Sequence, residues 1–341
     1  MGEAVARKIT AQDVAAAAGV SLSTVDRVLN NRGGVATEKE KRVLDWARKL
    51  KLDRALNQRA ARTLRIAVLL QAPDNPFHAD LQAAFRAANG NHDAFSLQFL
   101  LFHTDPNDPR AAARAIGELG ARHDGLIICY PQSAGVAAAL HALSARIPIL
   151  TLATDIAGSG RQAYVGPDDY RAGRVAGDLM GRFLEPHGGD VLIVAGLLGM
   201  VGQQQREKGF RTVLAERYAQ CHIVAVLESR EQRQRAGDLV HDMLRQNPSI
   251  KGIYNASTGA QPVVDALRTL GRERDVVFIT HELTENRRRL IHEGSIDAVI
   301  DQGPQLEVRM AIETMARLLG RLEGPAESII TPVHIHMIEN A

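Results

Sequence analysis

An α/β body behind a small all-α head is the fold class that this sequence of 341 residues predicts. Three observations predict it. Up to about residue 55, apolar residues recur at helical spacing between residues suited to cap helices. From residue 65 onward, short continuous apolar runs alternate with helix-like stretches, the pattern of parallel sheets covered on both faces. Charge divides at the same place. Residues 1–65 hold fourteen Lys/Arg against seven Asp/Glu, whereas the remainder holds twenty-seven against thirty-two. A basic head on a mildly acidic body suits a chain that meets a polyanion at one end. The alternative is a basic surface with no partner.

In the head, Thr10 and Asp13 form a capping-box pair ahead of Ala-rich residues, and Gly19 stops that helix. Ser21 caps a second helix whose apolar positions, Leu22, Val25, Val28 and Leu29, make one stripe. Ser23, Thr24, Asp26 and Arg27 face outward. Two short helices joined by a tight Gly-containing turn make a helix-turn-helix. A third helix starts after Asn31-Arg32-Gly33-Gly34, with Thr37 as N-cap and Glu40 three residues on.

The run Ala18-Gly19-Val20-Ser21-Leu22-Ser23-Thr24-Val25-Asp26-Arg27-Val28-Leu29-Asn30 resembles the head of the LacI family of bacterial repressors. Nine of the ten specified positions agree in order and spacing with the pattern A-G-V-S-x-x-T-V-S-R-x-L-N. Asp26 departs from it, standing where the family has Ser. The resemblance implies that Leu22 and Ser23, at the start of the second helix, face base edges in the major groove. Leu22 would touch a thymine methyl, unless it belongs to the core stripe. Arg27 would read a guanine or hold a phosphate, with Ser21, Thr24 and Asn30 as further phosphate ligands. Asp26 would accept from a cytosine amine or pair with a base-reading Arg; otherwise it pairs with Arg27 or Arg32 on the surface.

The organisation expected is a head at 1–55, a hinge or linker at 56–65 and a two-lobed body at 66–341. In the family a short hinge helix folds on DNA and wedges a Leu into the minor groove. Ala61-Arg62-Thr63-Leu64 offers that pattern, with Arg59 and Arg62 as DNA contacts. Yet a strand starts at once beyond it, so Leu64 is either the wedge or strand entry.

Eleven strands are expected in the body, at 65–71, 96–103, 125–131, 148–154, 163–168, 190–196, 222–228, 252–257, 276–282, 297–302 and 332–338. Eleven suit two doubly wound sheets better than one, with a ligand at the strand C-terminal ends, in the cleft between lobes. Order and motifs resemble the type I periplasmic-binding-protein-like sensor of the LacI family over residues 66–338. The resemblance implies a site made of Asp74, Asn75 and Phe77 after the first strand, Asp155 after the fourth, and Arg206 in Arg-x-x-Gly-Phe. It continues with Asn255, Ser257 and Thr258, with His281 beside Glu282 in place of the usual Asp, and with Gln302. Carboxylates, amides and Arg bind hydroxyls bidentately, and an aromatic covers a sugar's C–H face. The altered positions also leave an acidic or phosphorylated ligand open.

Several functions find no support. No phosphate-binding loop, nucleophile elbow or paired cleft carboxylates occur, so neither enzymatic chemistry nor a cofactor is expected. His334 and His336 share a strand face without a completing ligand, so no metal is expected. The two cysteines sit in apolar runs and read as reduced. The opening MGEAVARKITAQD lacks the apolar core of a signal peptide, and no run approaches about 20 apolar residues, so a cytoplasmic protein without membrane contact is expected. The reading is a homodimeric or higher-order operator-binding regulator controlled by a small sugar-like effector. The alternative is a solute-binding protein or α/β enzyme with a basic N-terminal extension.

Overall fold

A computed structural model of the chain describes residues 9–30, 32–50, 52, 63–90 and 95–341. The head packs three helices. In α1 (Ala11–Ala18), Thr10 Oγ1 accepts from the Asp13 amide at 3.4 Å while Asp13 Oδ2 accepts from the Thr10 amide at 2.8 Å. Gly19 ends the helix at φ 61°, a left-handed conformation that costs a residue without Cβ little. Ser21 caps α2 (Leu22–Leu29) by accepting from the Thr24 amide at 3.2 Å. Thr37 proves to be the first residue of α3 (Thr37–Lys49), one position inside the expected cap. Val14, Val25, Val28, Leu29, Val43 and Leu44 close the core between the three helices. Leu22 stays outside it.

The body forms two six-stranded sheets. The first has the order β11-β5-β4-β3-β1-β2, all parallel, from β1 (Leu64–Leu70), β2 (Leu97–His103), β3 (Gly125–Ile128), β4 (Ile149–Leu152), β5 (Ala163–Pro167) and β11 (Ile329–Thr331). Along β1 the side chains alternate. Ile66, Val68 and Leu70 pack with α4 (Pro76–Gly90) and α12 (Pro304–Leu318), while Ala67 and Leu69 pack with α5 (Pro109–Gly120) and α6 (Ala134–Ser144). This is the doubly wound arrangement that the apolar runs predict.

The second sheet, β12-β10-β9-β8-β6-β7, comprises β6 (Gly189–Ala195), β7 (Cys221–Glu228), β8 (Ile250–Asn255), β9 (Val277–His281), β10 (Ala298–Asp301) and β12 (His334–His336). Only β12 runs antiparallel. Leu192 and Val194 of β6 face α9 (Arg233–Gln246) and α10 (Ala260–Thr269), with α11 (Glu285–His292) completing that layer. Val191 and Ile193 face α7 (Asp169–Leu184) and α8 (Val201–Arg217). The last two helices approach very closely: a Cβ on Gly173 would lie 2.0 Å from the Arg206 carbonyl oxygen, and one on Gly209 2.1 Å from that of Tyr170.

One strand more is present than the sequence pattern predicts. Ile329–Thr331 is a three-residue edge strand, too short to show alternation, and it belongs to the first sheet while β12 belongs to the second. The chain therefore crosses between lobes three times: Pro167 to Asp169, Asp301 to Pro304 and Thr331 to His334. Among the described residues no helix is long and apolar enough to cross a membrane.

Candidate functional site

On the head, α2 presents its N-terminal turn to solvent. Ser21 Oγ lies 2.8 Å from Thr24 Oγ1 and 2.9 Å from Ser23 Oγ, and Leu22 is 47% exposed. Leu22 is the first residue of α2 and stays in solvent, although its spacing places it on the apolar stripe. Asp26 takes the surface alternative, 2.9 Å from Arg32 Nη1 and accepting from Asn30 Nδ2 at 2.7 Å. Asn30 is thus engaged in ordering Asp26. Arg27 is exposed and borders a groove between the head and the first lobe, where Glu40 of α3 meets Arg321 at 3.5 Å.

Arg59 and Arg62, expected as hinge contacts to DNA, lie outside the described residues. Leu64 is corrected: it is the first residue of β1, its Cα is paired with Leu97, and it is packed in the first lobe's core. A side chain held there is not a minor-groove wedge.

Between the lobes lies a small cavity of about 50 Å³. Asn75, Phe77, Arg206, Ser257, Thr258 and Gln302, all expected, meet on its wall. Each stands at or just beyond the C-terminal end of a strand, or on the helix that follows, where a doubly wound sheet leaves a crevice. Arg206 is the best-anchored group. Its Nε donates to Asp169 Oδ1 at 2.7 Å, one Nη to Gln302 Oε1 at 2.9 Å and the other to the Ala256 carbonyl at 3.3 Å. Burial opposes its charge, but the buried Asp169 beside it outweighs that and holds the guanidinium's pKa above its usual value.

Four expected residues lie elsewhere. Asp74 is exposed at the outer mouth of the cleft. Asp155 is turned into its own loop, bonded to Arg161 at 2.5 Å through each oxygen and to Thr151 Oγ1 at 2.9 Å. Burial pushes this carboxyl up, but the bonds from Arg161 and Thr151 leave its pKa below the usual range. Asn255 closes a local turn, accepting from the Ser257 amide at 3.1 Å and donating to the Thr258 carbonyl at 3.2 Å. His281 is buried behind the wall with Nε2 2.7 Å from the Tyr254 hydroxyl, and burial pushes its pKa well down.

The wall also carries Glu282, named beside His281 in the sequence, and groups that the sequence reading left out, chiefly Glu231, Gln203, Gln71 and Thr154. Gln203 is fixed by the loop after β6: its Oε1 accepts from the Gly196 amide at 2.7 Å and the Leu197 amide at 2.9 Å. Its Nε2 then donates to Glu231 Oε1 at 2.7 Å, and Ser257 Oγ donates to the same oxygen at 3.0 Å. Asn75 Nδ2 reaches Glu231 Oε2 at 3.3 Å across the cleft. Two further bonds span the lobes, Gln132 amide to Gly199 carbonyl at 2.8 Å and Gly202 amide to Thr154 Oγ1 at 3.4 Å. The signal for Glu231 was its place just after the seventh strand. It reads as one charge in a solvated loop until the fold turns it inward.

A head built as a helix-turn-helix ahead of a two-lobed α/β body with a polar cavity defines a ligand-sensing DNA-binding protein. The chain belongs to the periplasmic binding protein domain family, whose model matches residues 66–323, and carries a lacI-family head, the model of the lacI family of bacterial regulatory proteins matching residues 10–51. It is a DNA-binding transcriptional regulator and not an enzyme. Among relatives, the maltose regulon regulatory protein MalI of Escherichia coli is 27% identical over 267 residues, 74% of this chain and 73% of that protein. The D-allose-binding periplasmic protein of the same organism is 28% identical over 149 residues, and there the chain spans about half of the relative's length, 48%, with 43% of this chain covered. A solved ABC transporter solute-binding protein from Burkholderia graminis, in complex with D-arabinose, superposes with a TM-score of 0.75 at 22% identity, covering 82% of this chain and 97% of that one. That likeness concerns the fold.

Proposed function

We propose that this regulator is a cytoplasmic homodimer whose affinity for operator DNA is set by a small polyhydroxylated ligand, a sugar or sugar derivative, held in the cavity between its lobes. The observation that carries this reading is the cavity wall itself. Asn75, Gln203, Arg206, Glu231 and Gln302 bring acceptors and donors together around Phe77, a set suited to hydroxyls on a hydrocarbon frame. Glu231 and Glu282 disfavour the acidic or phosphorylated ligand that the sequence left open, because like charges repel at short range in a site of low dielectric. The names of relatives point the same way, one binding D-allose and one solved with D-arabinose.

A two-fold dimer would set two heads on a palindromic operator, with Leu22 and Ser23 against base edges and Ser21, Thr24 and Arg27 at phosphates. Two measurements test the reading. A thermal-shift screen of neutral sugars and polyols should find a compound that raises the melting temperature and alters operator affinity. Exchange of Leu22 and Ser23 for another pair should change operator preference by about 1–3 kcal/mol per altered base pair and leave the salt dependence as it was. Equal affinity of the parent protein for every DNA sequence, at all salt concentrations, would sink the operator-reading half.

A further inference from the structure

Charge on the cavity wall is unevenly matched. Arg206 faces Asp169, and Arg287 lies 3.5 Å from Glu282 while donating to the Ser257 carbonyl at 2.9 Å. Each of these buried cations thus has its own carboxylate. Glu231 has no cation in contact among the described residues. Its donors are the neutral Gln203 amide, Ser257 hydroxyl and Asn75 amide. Oε1 takes two of these bonds at 3.0 Å or less, whereas Oε2 takes a single long one at 3.3 Å. Oε2 therefore keeps acceptor capacity at the cavity.

A half-buried carboxylate with no counter-ion in contact is costly, and proteins neutralise such groups by protonation or by pairing. Burial, with Glu282 as a neighbouring like charge, pushes the Glu231 pKa up, against the Gln203 and Ser257 hydrogen bonds and the more distant Arg206 charge. A ligand ammonium offers three donors and the missing positive charge at once. Gln71 and Glu282 stand on the same wall as further acceptors, and Phe77 and Met200 supply apolar surface for a carbon frame.

From this geometry we infer that the effector is a hydroxylated compound carrying a protonated amine, an amino sugar or amino-polyol, with its ammonium seated against Glu231. The inference rests on the polyhydroxylated-ligand reading above and narrows it. It assigns Glu231 as the residue that selects the amine over the matching alcohol. A charge-assisted bond in a desolvated site supports a preference of about tenfold or more.

The test is calorimetric titration of the full chain at pH 7 with matched pairs: 2-amino-2-deoxyhexoses and 1-amino-1-deoxyalditols, each beside its neutral parent, with 1,4-diaminobutane as an amine lacking hydroxyls. The expected result is at least about tenfold tighter binding of an amine-bearing member than of its parent. Glu231→Gln should bring that ratio to about one, and Glu231→Asp, which keeps the charge, should retain part of it. A Glu231→Gln protein that keeps the full ratio overturns the assignment of Glu231. Parents that bind as tightly as their amines overturn the inference but leave the polyhydroxylated reading standing. Binding of the diamine alone, or of nothing in either arm, removes both.

Discussion

Replacing Arg206 by Ala is expected to lower the folding stability by about 3–5 kcal/mol, the loss seen when one member of a buried ion pair is removed. Arg206 and Asp169 are each 7% exposed at the side chain, so solvent does little to screen what remains. The substitution leaves the Asp169 carboxylate without its guanidinium, and leaves Gln302 Oε1 and the Ala256 carbonyl without this donor. Arg206→Lys should recover only part of the loss, because a single ammonium cannot reach three acceptors laid out for a planar fork. Urea denaturation of the parent, Arg206→Ala, Asp169→Asn and the double variant gives the coupling directly. A loss below about 1 kcal/mol for Arg206→Ala would show that Asp169 is not held charged by its neighbour. The same substitution should abolish the effector response, since Arg206 joins α8 to the hinge residue Gln302 at the floor of the cleft.

Gly173→Ala is expected to destabilise by about 2–3 kcal/mol or more, although helix propensity alone predicts a gain of up to about 1 kcal/mol. The sign is decided by the 2.0 Å separation between the new methyl carbon and the Arg206 carbonyl oxygen. That oxygen is backbone, so α7 and α8 must separate to admit the methyl. Gly117→Ala serves as the control, because its Cβ meets nothing within 4 Å and α5 should simply gain propensity. The melting temperature of Gly173→Ala should fall by several degrees while that of Gly117→Ala holds or rises. A fall of equal size in both would mean that close approach of α7 and α8 is not the cause.

Legibility in the sequence followed the range of the interactions involved. The head's caps were readable because Thr10–Asp13 and Ser21–Thr24 are bonds within one turn. Strands with a full apolar run were readable because parallel sheets bury both faces. Ile329–Thr331 was not, since Ile330 is 59% exposed and three residues carry no period. At the site, the resemblance to the family's sensor, whose motifs follow the strand C-terminal ends, located Asn75, Arg206 and Gln302. It failed at Asp155 because Arg161, six residues on, claims both oxygens, and at His281 because Tyr254 of the neighbouring strand does the same for its ring nitrogen. Glu231 shows the reverse. Its partners Gln203, Ser257 and Asn75 come from distant segments, so nothing local marks it as inward. Leu64 was undecidable from its motif alone, and pairing with Leu97 settled it as strand entry.

The three chain crossings between lobes have a mechanical consequence. Three straps side by side resist sliding and twisting more than bending, so they leave the body one compliant axis, a hinge in the sense of domain closure. A ligand gripping both walls loads that axis alone. The head enters the body through β1 and touches it through Arg321, just beyond α12, both parts of the first lobe. Bending therefore swings the head together with the first lobe as the short arm of a lever, with the second lobe as its counterweight.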